Sequence, residues 1–215
     1  MLNSKGFDLW ANGYDKSVNL SEENNEYPFA GYKDVLNYIY NQVRENSCSS
    51  VLDIGFGTGV LTTQLYNKGY HITGIDFSSS MIDIAKKKMP DATLINWDFT
   101  SGLPNEIISN KYDYIISTYA IHHLSDKEKI EFIKSLSKLL NINGEILIGD
   151  VSFETSKELD ECREIYKEIW DNEEFYFVAN VMMKSLNELY CNYEKISYCS
   201  GVLTVANKNS GENSR

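Results

Sequence analysis

The residues with the clearest chemical meaning are three glycines, Gly55, Gly57 and Gly59, which follow the short apolar run 51–54. Glycines at a strand end let the backbone pass close beneath a ligand, and the helix that follows offers unpaired N–H groups. The spacing is G-x-G-x-G, which differs from the dinucleotide pattern G-x-G-x-x-G, and no Gly-Lys-Ser/Thr of a phosphate-binding loop follows. The turn therefore predicts a small-molecule site, with an ordinary tight turn as the alternative.

Two acids occupy matching places further along the chain. Asp76 closes a predicted second strand and Asp98 follows a predicted third strand, so we expect both carboxylates at the edge that holds the glycine turn. A carboxylate there can accept hydrogen bonds from both hydroxyls of a ribose, and the next one can accept from an adenine amino group. Either acid alone is typical of a solvated loop, but together with the glycines they favour a nucleoside site.

His122 and His123 are two of only three histidines, and they follow the fourth predicted strand at the same edge. Because imidazole titrates near neutral pH, His122 is our candidate general base, and packing or capping of the loop is the alternative. We predict no metal site, since adjacent side chains diverge and the sequence offers no evident third ligand. Asp150, after the fifth strand, could orient an acceptor or be a loop acid.

Strands and helices must alternate strictly to bring these residues to one edge of a sheet. The sequence shows this alternation. Apolar runs predict strands at about 51–54, 70–75, 92–97, 112–117 and 145–149. Amphipathic segments predict helices at about 28–46, 59–68, 78–88 and 125–140, with a Ser78 cap and a capping box at Ser125 and Glu128. This alternation predicts an α/β fold with a doubly wound parallel sheet and right-handed crossovers.

The pattern changes after Asp150. Helical spacing of apolar residues predicts two helices, over 159–169 and 178–189, and two strands follow at 193–198 and 201–206. Neighbouring strands without a crossover must be antiparallel, so an antiparallel pair closes the sheet.

The two ends of the chain are expected to be peripheral. Phe7, Trp10 and Tyr14 lie at helical spacing and predict a cap or lid within residues 1–46, part of the same domain as the main body at 47–208. Alternatively, these three aromatic residues only form the apolar face of a helix that packs against the rest of the protein. The polar tail 209–215 is predicted to fray.

Composition limits the choice of partners. The 215 residues include 20 Lys and Arg and 31 Asp and Glu, a formal net charge of −11, which argues against nucleic acid or an anionic membrane as partner. There is no run of 18 apolar residues and no signal-like N-terminus. Four cysteines without CxxC spacing suit reduced thiols, so we expect a cytoplasmic protein. The sequence does not predict an oligomeric state.

Taken together, these motifs resemble those of class I S-adenosylmethionine-dependent methyltransferases over roughly residues 7–208. The segment Leu52-Asp53-Ile54-Gly55-Phe56-Gly57-Thr58-Gly59 matches the family's first motif, and Asp76 and Asp98 match its second- and third-strand acids. More narrowly, the layout is similar to that of uncharacterised methyltransferases of Gram-positive bacteria. The resemblance implies a Rossmann-like sheet of seven strands, mostly parallel, with an antiparallel C-terminal strand.

The resemblance also implies a site for S-adenosylmethionine, whose product would be S-adenosylhomocysteine. The glycine turn would lie against the amino-acid portion of the cofactor, and Asp53 would hold the first motif in place. Asp76 would bind the ribose and Asp98 the adenine amino group. The other residues implied to contact the cofactor are Tyr14, Gly55, Gly57, Gly59, Phe77, Trp97, Phe99 and Ser117.

The predicted activity is transfer of a methyl group to an oxygen, nitrogen or sulfur atom of a small molecule. The fourth strand ends in Ser117-Thr118-Tyr119-Ala120, without the Asn/Asp-Pro-Pro-Tyr/Phe turn of family members that act on amino groups of bases or glutamine. Two alternatives stay open. One is an NAD-dependent oxidoreductase, although the glycine spacing and the lack of a Tyr-x-x-x-Lys pair count against it. The other is a cofactor-binding protein without turnover.

Overall fold

The computed structural model describes residues 25–45 and 50–208. The strands are β1 (Ser50–Ile54), β2 (His71–Asp76), β3 (Thr93–Asn96), β4 (Tyr112–Thr118), β5 (Leu140–Phe153), β6 (Phe177–Val178), β7 (Leu189–Lys195) and β8 (Ser200–Asn207). The helices are α1 (Tyr32–Glu45), α2 (Val60–Tyr66), α3 (Ser79–Lys88), α4 (Asn105–Ile108), α5 (Asp126–Ser137), α6 (Ser156–Ile165) and α7 (Ala179–Ser185). Single 3₁₀ turns occur at Phe99–Ser101 and Ile121–His123.

Seven of these strands form the main sheet in the order β3-β2-β1-β4-β5-β8-β7, and the two-residue β6 pairs with β5 off this path. The pairs among β1 to β5 are parallel, while β8 is antiparallel to both β5 and β7. The predicted sheet of seven strands, mostly parallel with an antiparallel C-terminal strand, is therefore confirmed. The antiparallel strand lies inside the sheet, and β7 forms the edge.

The sheet is covered by helices on both faces, which explains why most residues of the central strands β1 and β4 are buried. Alternate residues of β1 belong to two hydrophobic cores, one on each face of the sheet. Val51 packs with Leu65 and Val35 on one face, whereas Leu52 packs with Ile133 on the other. These side chains are at most 1% exposed.

Several predicted boundaries differ from the structure, and the helices predicted at 28–46, 159–169 and 178–189 are observed at Tyr32–Glu45, Ser156–Ile165 and Ala179–Ser185. Helix α5 ends at Ser137 and β5 already begins at Leu140, because Leu140 pairs with Tyr112 before a register irregularity on β4. The last two strands are joined at 196–199, within the range 193–198 predicted for the first of them, since the N–H groups of Ile196 and Ser197 both donate to the carbonyl of Ser200. Strand β7 accordingly spans Leu189–Lys195 and not 193–198.

Helix α1, which lies in the region expected to form a cap, packs directly on the sheet. A Cβ added to Gly149 of β5 would collide with Val35 and would lie 3.0 Å from Ile39 Cδ1, so this glycine permits the close approach. Phe7, Trp10, Tyr14 and the tail 209–215 lie outside the described residues, and their predicted roles stay predictions. Within the ranges that the structure covers, no helix is long and apolar enough to cross a membrane.

Candidate active site

A pocket of about 730 Å³, its open mouth included, lies at the C-terminal ends of β1, β2 and β4. Its walls come from the glycine turn after β1, from Asp76 and Phe77 at the end of β2, and from residues 118–120 at the end of β4. Tyr32 and Leu36 of α1 also contribute to the lining. The strand order reverses between β1 and β4, and ligands of open parallel sheets bind at this kind of switch point. The fold thus brings the predicted motifs to one cavity.

The three glycines of the turn all have positive φ angles, but they serve different contacts. A Cβ on Gly55 would lie 2.5 Å from the Cβ of Ala120, and one on Gly59 would lie 2.9 Å from Met89 Cε. These two glycines permit close packing inside the protein. A Cβ on Gly57 would meet no protein atom within 4 Å. Because Gly57 lines the pocket, its lack of a side chain leaves this space in the pocket open.

Asp53 is the second-last residue of β1, lines the pocket and is only 1% exposed. The Thr62 hydroxyl donates a hydrogen bond to its Oδ2, whereas Oδ1 has no hydrogen-bond partner among the described residues. Burial, reinforced by the nearby charge of Asp76, raises the pKa of Asp53 to about 7 despite the opposing Thr62 hydrogen bond. A buried carboxylate oxygen without a donor is costly, so the site is suited to a cationic N–H group.

Asp76 fixes the shape of the turn from the neighbouring strand. Its Oδ2 accepts a hydrogen bond from the Gly57 N–H and its Oδ1 accepts one from the Ser78 N–H, each at 2.8 Å. The carboxylate is 5% exposed and lines the pocket. An ionised carboxylate is a hydrogen-bond acceptor only, so the Asp76 side chain presents acceptor atoms to the pocket.

Asp98 differs from Asp76 in being exposed and outside the pocket lining. Its Oδ1 accepts hydrogen bonds from the Thr100 N–H at 2.9 Å and the Thr100 hydroxyl at 2.7 Å, which caps the 3₁₀ turn Phe99–Ser101. The Trp97 ring is also outside the lining, and its Nε1 donates to the Gly102 carbonyl. In contrast, Phe99 is buried and does line the pocket.

The pocket lining includes about half of the site residues predicted from the sequence. Those that line it are Asp53, Gly55, Gly57, Asp76, Phe77 and Phe99. Within the described part of the chain, those outside the lining are Gly59, Trp97, Asp98, Ser117 and His122. The Ser117 hydroxyl donates to the Ile54 carbonyl at 3.0 Å and so ties β4 to β1. Every cofactor contact assigned to these residues stays a prediction.

The sequence interpretation missed an aromatic wall of the pocket. Tyr119 follows β4 in a left-handed conformation with φ +50°, and its ring centroid lies 5.0 Å from that of Tyr32 and 5.6 Å from that of Phe29. Its place directly after a strand end is a signal that could have identified it. Tyr32 has no such signal, because it comes from a helix that is distant in sequence.

His122 lies beside the pocket in a buried cluster. Its Nδ1 is 2.7 Å from Asp150 Oδ1, its backbone N–H donates to Asp150 Oδ2, and its Nε2 is 3.6 Å from Glu174 Oε1. Burial would lower the pKa of His122, but the Asp150 carboxylate outweighs burial and the pKa is raised. His123 borders the pocket itself, and burial together with His122 lowers its pKa to about 4.

The segment 174–176 is fixed over His122 by several contacts. The Tyr176 hydroxyl donates to Glu174 Oε2 at 2.6 Å, and the Phe175 N–H donates to the His122 carbonyl at 2.8 Å. The fully buried Lys129 donates to the carbonyls of Leu124 and Phe175. Sequence reasoning missed Glu174, which lies in a polar stretch that carries no recognisable motif.

The comparison with known proteins agrees with this geometry. A family model described as a methyltransferase domain matches residues 51–144. An uncharacterized methyltransferase of Oceanobacillus iheyensis is 41% identical over 151 residues, which cover 70% of this chain and 68% of the relative. An uncharacterized methyltransferase of a Geobacillus species is 36% identical over 191 residues, which cover 85% and 86%.

Solved structures of methyltransferases share the fold. The magnesium protoporphyrin IX methyltransferase of Synechocystis, crystallised with bound SAM, superposes with a TM-score of 0.66 at 18% identity and covers 97% of this chain and 99% of its own. A methyltransferase of Clostridium acetobutylicum superposes with a TM-score of 0.66 at 15% identity and covers 90% and 98%. From the identity and coverage of these sequence relatives, the chain belongs to the same methyltransferase family as they do.

Proposed function

We propose that this protein binds S-adenosylmethionine in the pocket over β1, β2 and β4 and transfers its methyl group to an oxygen, nitrogen or sulfur atom of a small molecule. The observation that carries the proposal is the buried Asp53 Oδ1, which has no hydrogen-bond partner among the described residues and belongs to a pocket-lining side chain. An α-ammonium group is the kind of donor this oxygen lacks.

Other parts of the pocket fit the remaining chemistry of the cofactor. The Asp76 carboxylate lines the pocket, and its acceptor oxygens suit ribose hydroxyls. The open space at Gly57 lets a ligand approach the backbone. Phe77 and Phe99 supply apolar ring surface that suits a purine base.

When bound, the cofactor supplies a methyl group activated on a positively charged sulfur atom. The work left to the protein is to align acceptor and donor and to exclude water. The aromatic faces of Tyr32 and Tyr119 line the pocket and suit a cationic centre. An acceptor that must lose a proton needs a base, and the base role of His122 stays a prediction. Asp150 would orient the ring of His122 through Nδ1.

The proposed acceptor is a small molecule, and no nucleic acid or membrane is involved. The acidic net charge of −11 and the residues Ser117 to Ala120 after β4 support this. We further propose that residues 1–46 cap a single methyltransferase domain at 47–208, with Tyr14 near the cofactor. A cytoplasmic location is the expectation, and the thiols of Cys162, Cys191 and Cys199 are free.

The first test is calorimetric titration of the purified chain with S-adenosylmethionine, S-adenosylhomocysteine and NAD. We expect the two adenosyl compounds to bind. Asp76→Ala should weaken them about 100-fold, because it removes a ligand acceptor and also leaves two N–H groups of the turn without a partner. Asp83→Ala, on the exposed side of α3, is the matched control and should bind as the unchanged chain does.

Two results would contradict the proposal. Binding of NAD without a response to the adenosyl compounds would favour the oxidoreductase alternative. Binding of S-adenosylmethionine without any methylated product, in a mass-spectrometric screen of small metabolites, would favour the binding protein without turnover. The same screen would identify the acceptor if the proposal holds.

A further inference from the structure

We propose that His122, His123 and Glu174 form a binding site for a divalent transition-metal ion at the edge of the pocket. One ring nitrogen from each histidine and one carboxylate oxygen of Glu174 all lie within 4.8 Å of one another. Two imidazoles and one carboxylate are a donor set that binds zinc and divalent iron in proteins.

The structure removes both reasons for which the sequence predicted no metal here. The adjacent histidines were expected to diverge, but in the turn Ile121–His123 their ring centroids are 4.4 Å apart. A third ligand was not evident, yet Glu174 Oε1 comes to 3.6 Å from His122 Nε2. A bound ion would take the place of this long histidine–carboxylate contact.

Outer contacts already orient two of the three ligands. The buried Asp150 accepts at His122 Nδ1, which leaves Nε2 as the free ring nitrogen on the side of Glu174. Metal-binding histidines commonly bond a carboxylate through the second ring nitrogen in this way. The Tyr176 hydroxyl donates to Glu174 Oε2 and leaves Oε1 to face His122.

The backbone around the ligands is also fixed before any ion binds. The Phe175 N–H donates to the His122 carbonyl, and buried Lys129 donates to the Phe175 carbonyl. The carboxylates of Glu174 and Asp150 supply two negative charges near the ligand atoms, and Lys129 supplies one opposing charge. A nitrogen-containing donor set favours a transition ion over Ca²⁺ or Mg²⁺, which prefer oxygen ligands.

The place of the site suggests its use, and this step rests on the proposed methyltransferase function. His123 is a ligand and also lines the pocket, so the ion would border the space for the acceptor. Three protein ligands leave a coordination position for another group. The acceptor class would then be a compound with a hydroxyl, carboxyl or thiol group that can coordinate the ion. His122 Nε2 cannot bind an ion and accept a proton together, so this inference competes with the base role.

The test is calorimetric titration of the full chain, first stripped with a chelator, with Zn²⁺ in the absence of any adenosyl compound. We expect one equivalent to bind. Glu174→Gln and His123→Ala should each weaken binding about 100-fold, and Asp150→Asn, as a positioning residue, by about 10-fold. His71→Ala is the matched control, since this third histidine is exposed at the start of β2 and should not affect binding.

Binding of less than about one fifth of an equivalent would overturn the inference. So would unchanged Zn²⁺ affinity in Glu174→Gln, or an equal loss in His71→Ala. Glu174 is 25% exposed and its replacement keeps the side-chain shape, so this variant is interpretable even if His123→Ala fails to fold. Titration of the metal-free chain with S-adenosylmethionine tests the proposed function separately: its failure with Zn²⁺ binding intact overturns only the function, and the reverse result overturns only the metal site.

Discussion

The two sides of the pocket are built in different ways. The side proposed for the cofactor uses residues at or directly after strand ends, and its central contact joins the Gly57 N–H to Asp76, 19 positions away. The side with His122 joins Asp150, Glu174 and Tyr176, and continues through Tyr176 to Tyr27 across 149 positions. A site made from local turns leaves a motif in the sequence, whereas a site made by distant segments does not.

The family model covers the two sides unequally. The matched region 51–144 contains the glycine turn, Asp76 and His122 but ends before Asp150 and Glu174, although the Geobacillus relative aligns over 85% of the chain. Under the proposed function the glycine turn and Asp76 hold the methyl donor, so we expect changes there to affect cofactor binding and changes around Glu174 to leave it unaffected. The following experiments test that division, in order of decreasing expected effect.

The largest effect is expected from Gly57→Ala. A Cβ here meets no protein atom within 4 Å and would fill the space proposed for the cofactor, so affinity for S-adenosylmethionine should fall at least about 100-fold. Gly69→Ala is the control, because Gly69 also has a positive φ and open surroundings but does not line the pocket. Both variants should lose about 1 kcal/mol of stability in thermal unfolding. Equal cofactor affinity in the two would show that Gly57 does not face the ligand.

The second experiment examines the long-range side. Lys129→Met leaves the carbonyls of Leu124 and Phe175 without their donor, at a cost of about 2 kcal/mol, or roughly 30-fold in an opening equilibrium. Hydrogen exchange should therefore speed up by about that factor at residues 174–176 and stay unchanged in β1 and β2. Lys127→Met, at an exposed position of the same helix, is the control. Faster exchange throughout the sheet would mean that the two sides are one cooperative unit.

A third experiment uses the pKa of Asp53, which burial raises to about 7. The protonated carboxyl must lose its proton to pair with an ammonium group, so affinity for the cofactor should rise about tenfold between pH 5.5 and 7. Above pH 8 it should fall again, because the α-amino group of the cofactor loses its own proton near that pH. Asp53→Asn should abolish the rise below pH 7. A flat calorimetric profile in the unchanged chain would exclude the proposed ion pair.

The smallest effect is expected from Asp98→Ala. Asp98 is exposed, caps a 3₁₀ turn and lies outside the pocket lining, so its loss should weaken S-adenosylmethionine binding by about fivefold at most. Thr100→Ala, which removes the hydroxyl partner of the cap, should have a similar small effect. A loss of more than about 50-fold for Asp98→Ala alone would show that this loop moves onto the ligand and that the adenine contact implied by the sequence is real.

The comparison of Asp76 with Asp98 shows how far the sequence could lead. Both acids follow a strand of the same parallel sheet, and the strand pattern located both correctly at the C-terminal edge. Strand β3 is the edge strand, however, so Asp98 lies two strands away from β1, while Asp76 lies next to it. Periodicity gives the strand end but not the distance of that end from the pocket.

The sequence by itself determined the alternation of strands and helices, the antiparallel closing pair and the glycine turn with its neighbouring acid. These features depend on side-chain periodicity and local backbone conformation, which a few consecutive residues specify. Only the tertiary structure decided that Glu174 and Asp150 meet His122, and that Tyr32 joins Tyr119 at the pocket. Such contacts depend on how whole segments pack, because the free energy that holds Glu174 over His122 comes from buried groups such as Lys129 far away in the chain.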